Sequence, residues 1–197
     1  MDRTAARPLV IVSAFAGSLV IGLLLMLWTR GGVRGVPAPA AIGGPFQLTD
    51  QAGETVTDKN LEGKPTLIFF GFTHCPDVCP TSLFEISEVL RAMGTDADRV
   101  NAYFISVDPD RDTASAMKDY LSSFDPHLKG LTGDPMAVAK VTSEYRVYAK
   151  KVPLKDGDYT MDHTALVYLM DRDGHFVSPF NLRRTPEEAA ADLKHYL

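Results

Sequence analysis

Two cysteines, Cys75 and Cys79, are the first sign of chemistry in the sequence. They lie between a short apolar run and an amphipathic segment, where a buried strand is expected to pass into a helix. If Asp77 and Val78 occupy the first helical turn, both sulfurs project from one face, with their Cβ atoms about 5–6 Å apart. The unpaired N–H groups of a helix N-terminus favour thiolate over thiol. Two neighbouring thiolates form a soft ligand pair suited to Cu(I) or Zn(II).

Two sulfurs leave a metal under-coordinated, so a third ligand has to come from elsewhere in the chain, which contains five histidines. His163 lies in a polar stretch just before the last apolar run, and such a loop can lie beside the cysteine segment at one edge of a sheet. His74 directly precedes Cys75 and should point away from the sulfurs. The other three are better interpreted as solvent-exposed: His127, His175 and His195. The residues alone leave a metal role for His163 open.

The predicted elements alternate between strands and helices. Short apolar runs bounded by turn residues indicate buried strands, and apolar residues at three- and four-residue intervals indicate amphipathic helices. The pattern predicts a small hairpin at 46–56, strands at 66–72, 100–107 and 165–170, a final hairpin strand at 175–180, and helices at 83–93, 113–124, 135–145 and from 185 onwards. An alternation of this kind predicts an α/β sheet with helices on both faces.

An uncharged apolar stretch occupies residues 8–29, with two arginines on either side of it. A helix of this length spans the roughly 30 Å hydrocarbon core of a bilayer. The alternative is a cleaved signal peptide, for which residues 38–40 supply a small-x-small pattern. The stretch is longer than the usual apolar core of about 7–15 residues in a signal peptide. We therefore expect a retained transmembrane anchor.

The predicted organisation is a cytoplasmic N-terminus at 1–8, an anchor at 9–29, a flexible linker of Gly, Pro and Ala at 30–44, and one domain at 45–197. Because the flanking arginines balance, the positive-inside rule does not orient the anchor. N-terminal apolar segments of this kind usually direct the domain behind them across the membrane, which predicts a domain outside the cytoplasm.

The whole chain carries a net charge of −5, and four arginines but only one acid precede residue 35. The domain is thus more acidic still, which disfavours nucleic-acid binding.

The segment 70–80, FGFTHCPDVCP, resembles the copper-binding loop of the Sco/SenC family, whose members assist assembly of cytochrome c oxidase. The resemblance continues in SVDP at 106–109, RDT at 111–113, LTG at 131–133, YRVY at 145–148 and DHTA at 162–165. It extends over roughly 44–197, and the apolar N-terminal segment fits it as well.

The resemblance implies a thioredoxin-like fold and copper as the cofactor. It places the family's two cysteine ligands on Cys75 and Cys79 and its histidine ligand on His163, with no departure at these positions. It also implies the binuclear copper site of an oxidase subunit as recipient, and a location in the inner membrane with the domain facing the periplasm. A periplasmic copper donor or a thioredoxin-like reductant would be a further partner.

Three functions are compatible with the cysteine pair. In the first the protein carries copper, and in the second Cys75 and Cys79 form the redox pair of a thiol–disulfide oxidoreductase. Helical cysteines at this spacing have Cα atoms about 6 Å apart, within the range of a disulfide, although thioredoxin-type enzymes normally have two intervening residues rather than three. The third is a structural disulfide, which would stabilise little because it closes a very short loop. The sequence does not separate the first two.

The anchor can be tested on the mature protein. We expect residues 9–29 to be retained, so that the chain sediments with membranes and resists alkaline extraction. Intact mass and N-terminal sequencing of the purified protein check this. An N-terminus near Ala41 would show instead that the segment is a cleaved signal.

Overall fold

The computed structural model describes residues 19–23, 25–26, 41–155 and 157–197. The chain divides into two units, 1–40 and 41–197. In the first unit the described residues are helical. The remainder of the predicted anchor, the predicted cytoplasmic N-terminus and the predicted linker up to residue 40 lie outside the described residues. Among the helices of the described ranges, none combines the length and the apolar character that a membrane crossing requires.

The second unit is built from strands and helices that follow the predicted order closely. In its described residues the strands are β1 (Gln47–Asp50), β2 (Thr55–Thr57), β3 (Thr66–Gly71), β4 (Asn101–Ser106), β5 (Leu128–Thr132), β6 (Ala149–Pro153), β7 (Tyr159–His163), β8 (Val167–Met170) and β9 (Phe176–Pro179). The α-helices are α1 (Val78–Met93), α2 (Ala114–Leu121), α3 (Pro135–Glu144) and α4 (Pro186–Lys194), with short 3-10 helices at Asp58–Leu61 and Gly94–Arg99.

Seven strands form one mixed sheet in the order β2-β1-β5-β4-β3-β8-β9. β3, β4 and β5 are parallel, while β1, β2, β8 and β9 join antiparallel. The α/β class that the sequence predicts is thereby confirmed. β3 lies inside the sheet between β4 and β8, and all six of its residues are buried.

Aromatic side chains cover β3 on both faces, because successive residues of a strand point to opposite sides of a sheet. On one face Phe69 stacks on Phe104 at 6.0 Å between ring centroids, and Phe104 lies 5.9 Å from Tyr120 of α2. On the other face Phe70 packs 5.5 Å from Tyr145, which comes directly after α3. Burial on both faces of the sheet explains the continuous apolar run at 66–72. It also places the end of β3 inside the core.

The segment before β8 differs from the sequence prediction of a polar loop. It forms a hairpin in which β6 pairs antiparallel with β7, from Ala149 opposite His163 to Pro153 opposite Tyr159. His163 is therefore the last residue of a strand. All five residues of β6 are exposed, so β6 lacks the alternating burial that reveals a strand in the sequence. The signal that the sequence does contain is a turn at Gly157, whose φ of 89° is typical of a hairpin turn.

Candidate metal centre

Cys75 lies in the loop between β3 and α1, whereas Cys79 is the second residue of α1. α1 begins at Val78 with Asp77 as its N-cap, so the condition under which both sulfurs would project from one face of the first turn is not met. The two sulfurs nevertheless lie within 4.8 Å of each other. Cys75 lies in the preceding turn, where its N–H donates to the Phe72 carbonyl at 3.2 Å. Its Sγ accepts the N–H of Cys79 at 3.4 Å. The Cys75 sulfur thus satisfies one of the free N–H groups at the start of α1.

The Cys79 side chain is fully buried, and this burial determines its protonation. Burial raises the pKa of the Cys79 thiol far above its usual value, and the nearby Cys75 and Asp112 raise that pKa further. A hydrogen bond with the Phe72 backbone lowers the pKa but does not compensate. The expectation that the helix N-terminus favours a thiolate is therefore wrong for Cys79 in the metal-free protein. The thiol keeps its proton at neutral pH.

His163 approaches the cysteines from the end of β7. Its Nε2 lies 3.5 Å from the Cys79 Sγ, and its Nδ1 lies 3.1 Å from the Thr164 carbonyl oxygen. A carbonyl oxygen can only accept, so Nδ1 carries the hydrogen and the lone pair of Nε2 faces the sulfur. The rings of Phe69 and Phe72 contact the imidazole edge-on, at 6.4 and 5.7 Å between centroids. These contacts fix both the tautomer and the orientation of the ring.

The three residues that the sequence singles out are brought together. The Sγ atoms of Cys75 and Cys79 and a ring nitrogen of His163 all lie within 4.8 Å of one another. Two sulfurs and one imidazole form a soft donor set that fits Cu(I) or Zn(II). His74 is more than half exposed and lies 3.0 Å from the Thr73 hydroxyl. The ligand roles themselves stay a prediction.

Asp112 fixes the start of the cysteine loop, a role that sequence reasoning missed. This carboxylate is completely buried and accepts hydrogen bonds from the Thr73 N–H at 3.1 Å and the Thr73 hydroxyl at 2.6 Å. It also accepts the Ser106 hydroxyl at 2.6 Å, at the end of β4. The only signal in the sequence is that Ser106 and Asp112 belong to motifs shared with the resembling family.

Gly71 makes room for the Cys79 sulfur at the end of β3. A Cβ atom at Gly71 would lie 2.7 Å from the Cys79 Sγ and 2.7 Å from the Phe104 ring. Both distances are well inside van der Waals contact, so any larger residue would displace the sulfur or the ring. A glycine at this position is therefore a condition for the donor geometry.

Comparison with known proteins agrees with the geometry of the site. The family model described as SCO1/SenC matches residues 35–197. The chain belongs to the SCO1/SenC family. A SCO2-like protein of Rickettsia felis is 35% identical over 98% of both chains. The copper-bound structure of Bradyrhizobium japonicum ScoI is 83% identical, with a TM-score of 0.79 over 80% of this chain and all of that chain.

The fold extends to distant members of the SCO1/SenC family. BsSco, described as a member of the Sco family of cytochrome c oxidase assembly proteins with a disulfide switch, is 22% identical. Its TM-score is 0.63 over 80% of this chain and 94% of its own. At this identity the likeness shows the fold alone. The thioredoxin-like α/β fold implied by the resemblance is thereby confirmed.

The contact at Gly71 gives a prediction with a matched control. Gly71→Ala should destabilise the domain by about 1–3 kcal/mol through overpacking and should also displace the Cys79 sulfur. Gly130→Ala overpacks another strand, because its Cβ would lie 2.8 Å from side-chain atoms of Leu121 and Met117 and has neither cysteine among its nearest neighbours. Urea unfolding and a Cu(I) competition titration measure the two effects. We expect both variants to lose stability but only Gly71→Ala to bind Cu(I) more weakly. Equal Cu(I) affinity in the two variants would contradict this account of Gly71.

Proposed function

We propose that the chain carries Cu(I) on Cys75, Cys79 and His163 and delivers it to the binuclear copper site of cytochrome c oxidase. The observation that carries the proposal is the convergence of two sulfurs and one imidazole nitrogen within 4.8 Å. Membership of the SCO1/SenC family supports it, and so does the bound copper described for the 83%-identical ScoI of Bradyrhizobium japonicum.

The copper ion is cargo in this proposal, and the donor set suits both holding and releasing it. Two thiolates and a neutral imidazole satisfy Cu(I), a closed-shell ion that accepts low coordination numbers. Three protein donors leave room for a ligand of the recipient, so the ion can pass by stepwise ligand exchange. When bound, the ion would supply the positive charge that keeps the buried sulfur of Cys79 deprotonated.

The proposed setting depends on the N-terminal segment. Residues 9–29 would hold the protein in the inner membrane by a single span, with the linker placing the domain on the periplasmic side. There it would meet the copper-site subunit of the oxidase as recipient and a periplasmic copper protein as donor. A linker of this Gly- and Pro-rich composition would allow the domain to reach both partners while it stays tethered.

A thiol–disulfide oxidoreductase is the second candidate, favoured by the separation of less than 4.8 Å between the two free sulfurs. One thiolate would attack a partner's disulfide, and the second cysteine would then release the partner as a dithiol. The partner gains two electrons and two protons, and the chain keeps the disulfide. Against this stands the complete burial of Cys79, which raises the pKa of its thiol and keeps it away from partners. A thioredoxin-like reductant would be needed to restore the pair.

His163→Ala separates the two candidates, because both thiols remain. In a copper carrier the variant loses a ligand, and its Cu(I) affinity should fall by at least 10–100-fold, the loss typical of changes around the ligands alone. Oxidase assembly at limiting copper should fail with it. Reduction of a partner disulfide should stay close to wild type, because thiolate stability and disulfide strain set the redox potential.

The control for this experiment is His195→Ala, which removes an exposed imidazole directly after α4, outside the cysteine loop. We expect it to keep both the Cu(I) affinity and oxidase assembly. A Cu(I) titration against competing chelators and oxidase activity in a strain carrying only the variant provide the measurements. Normal oxidase activity with His163→Ala at limiting copper would favour the reductase.

Copper binding should depend on pH in a defined direction. Burial raises the pKa of the Cys79 thiol, so the metal-free protein holds that proton at neutral pH and Cu(I) must displace it. The apparent affinity should therefore rise with pH, by about tenfold per unit for each proton released, between roughly pH 6 and pH 9. Chelator competition, corrected for protonation of the chelator, measures the slope. An affinity that is flat over this range would mean that the sulfur is already a thiolate.

A further inference from the structure

His163 sits on a hairpin that needs support from outside its own backbone. Within the described residues, β6 and β7 pair with each other and with no strand of the seven-stranded sheet. All five residues of β6 are exposed, and Met161 is the one buried residue of β7. Apart from the short connection from His163 to β8, side-chain contacts therefore hold the hairpin in place, and the position of the imidazole depends in part on them.

A cluster of three residues, Asp108, Arg111 and Tyr159, supplies such contacts at the start of β7. The buried Asp108 carboxylate accepts the Arg111 Nε–H at 2.6 Å on one oxygen and the Tyr159 hydroxyl at 2.8 Å on the other. The Arg111 Nη1 donates to the Tyr159 carbonyl oxygen at 3.0 Å. The guanidinium also lies 3.8 Å from the centre of the Tyr159 ring. Asp108 and Arg111 thus bind both the backbone and the side chain of Tyr159.

Two routes connect this cluster to the metal centre. Tyr159 is the first residue and His163 the last of the same five-residue strand, so holding one end restricts the other. The Arg111 guanidinium also lies 5.9 Å from the Phe72 ring, and Phe72 contacts the imidazole of His163. Arg111 therefore reaches His163 both along the strand and through an aromatic side chain.

Burying the Asp108 carboxylate and part of the Arg111 guanidinium is costly, which argues that the cluster does more than close a loop. Asp108 has no solvent exposure, and the Arg111 Nη2 is buried without a hydrogen-bond partner in the described part of the protein. Buried ion pairs are often no more stabilising than apolar residues of the same volume. By contrast, Arg99 forms an ion pair with Asp96 at the same sequence spacing but in an exposed position.

We propose that Asp108, Arg111 and Tyr159 position His163, so that the cluster decides whether the metal centre has three donors or only the two sulfurs. The proposal rests on the proposed role of His163 as a copper ligand. Arg111 acts through the hairpin and Phe72 and does not itself bind the ion. When the cluster is intact, it holds the imidazole of His163 close to the two sulfurs. When the cluster is broken, the hairpin moves and the imidazole no longer reaches the metal centre.

Arg111→Met and Tyr159→Phe test the cluster at two levels. Arg111→Met removes the ion pair and the stacked cation, and should lower Cu(I) affinity by about tenfold or more, as loss of a supporting contact does. Tyr159→Phe keeps the aromatic ring and removes only the hydrogen bond to Asp108. We therefore expect Tyr159→Phe to lower Cu(I) affinity less than Arg111→Met does. Arg99→Met is the matched control and should keep wild-type affinity. X-ray absorption of the copper-loaded Arg111→Met variant should show two sulfur neighbours and a weakened nitrogen contribution.

A double-mutant cycle shows whether Arg111 acts through His163. Arg111→Met should cost nothing further in a His163→Ala background, because the residue that it positions is already absent. Hydrogen exchange in the metal-free protein gives an independent readout, in which the β7 amides should exchange faster in Arg111→Met and at the wild-type rate in Arg99→Met.

The outcomes separate this inference from the proposed function. If His163→Ala keeps full Cu(I) affinity, the ligand set is wrong and the proposed function fails. If His163→Ala loses affinity while Arg111→Met binds like wild type, or if the two losses add, the inference alone is overturned. Should Arg111→Met fail to fold, Tyr159→Phe decides by the same cycle and the same exchange measurement.

Discussion

The site depends on one contact, the burial of the Cys79 sulfur against the end of β3 at Gly71. The strand can accept a sulfur there because glycine has no side chain, and Phe104 closes the space from β4. The same burial removes the sulfur from water and keeps its thiol neutral in the metal-free protein. A neutral thiol can remain in an apolar site at little cost, whereas an unpaired thiolate cannot. In the proposed function a bound cation would remove that obstacle, so that metal binding and deprotonation of Cys79 would be one event.

The remaining donors are held in relation to one loop, residues 107–113 between β4 and α2. Asp112 in this loop binds Thr73 and so fixes the start of the cysteine segment. Asp108 and Arg111 in the same loop bind Tyr159 and so fix the hairpin that carries His163. Two buried carboxylates four residues apart thus contact the two segments that carry the predicted ligands. A shift of this loop would change the distance between the sulfurs and the imidazole.

The sequence predicts the strands and helices whose residues are buried in the core. It does not predict the exposed hairpin of β6 and β7, nor the protonation of Cys79, which depends on desolvation. The apolar run of β3 and the helical spacing of Leu83, Ile86 and Leu90 reflect burial in the core directly. β6 is exposed along its whole length, so the hairpin leaves only the turn at Gly157 as a signal. The thiolate expectation fails because a helix dipole contributes about 0.3–1 kcal/mol at an exposed site, less than burial of a thiolate costs. The motifs include Asp108 and Asp112 without indicating a role, because carboxylates are mostly exposed.

The three predicted ligands are supported unequally, which bears on how an ion bound in the proposed way would leave. Cys79 belongs to α1 and is part of the core, and the Cys75 sulfur is joined to the start of the same helix through the Cys79 N–H. Moving either sulfur would disturb the helix or the strand beneath it. His163 is carried by a hairpin held through side chains, so its imidazole can withdraw while the seven-stranded sheet stays intact. In the proposed carrier role the ion has to leave without unfolding of the protein, and His163 would be the ligand whose departure costs the core least.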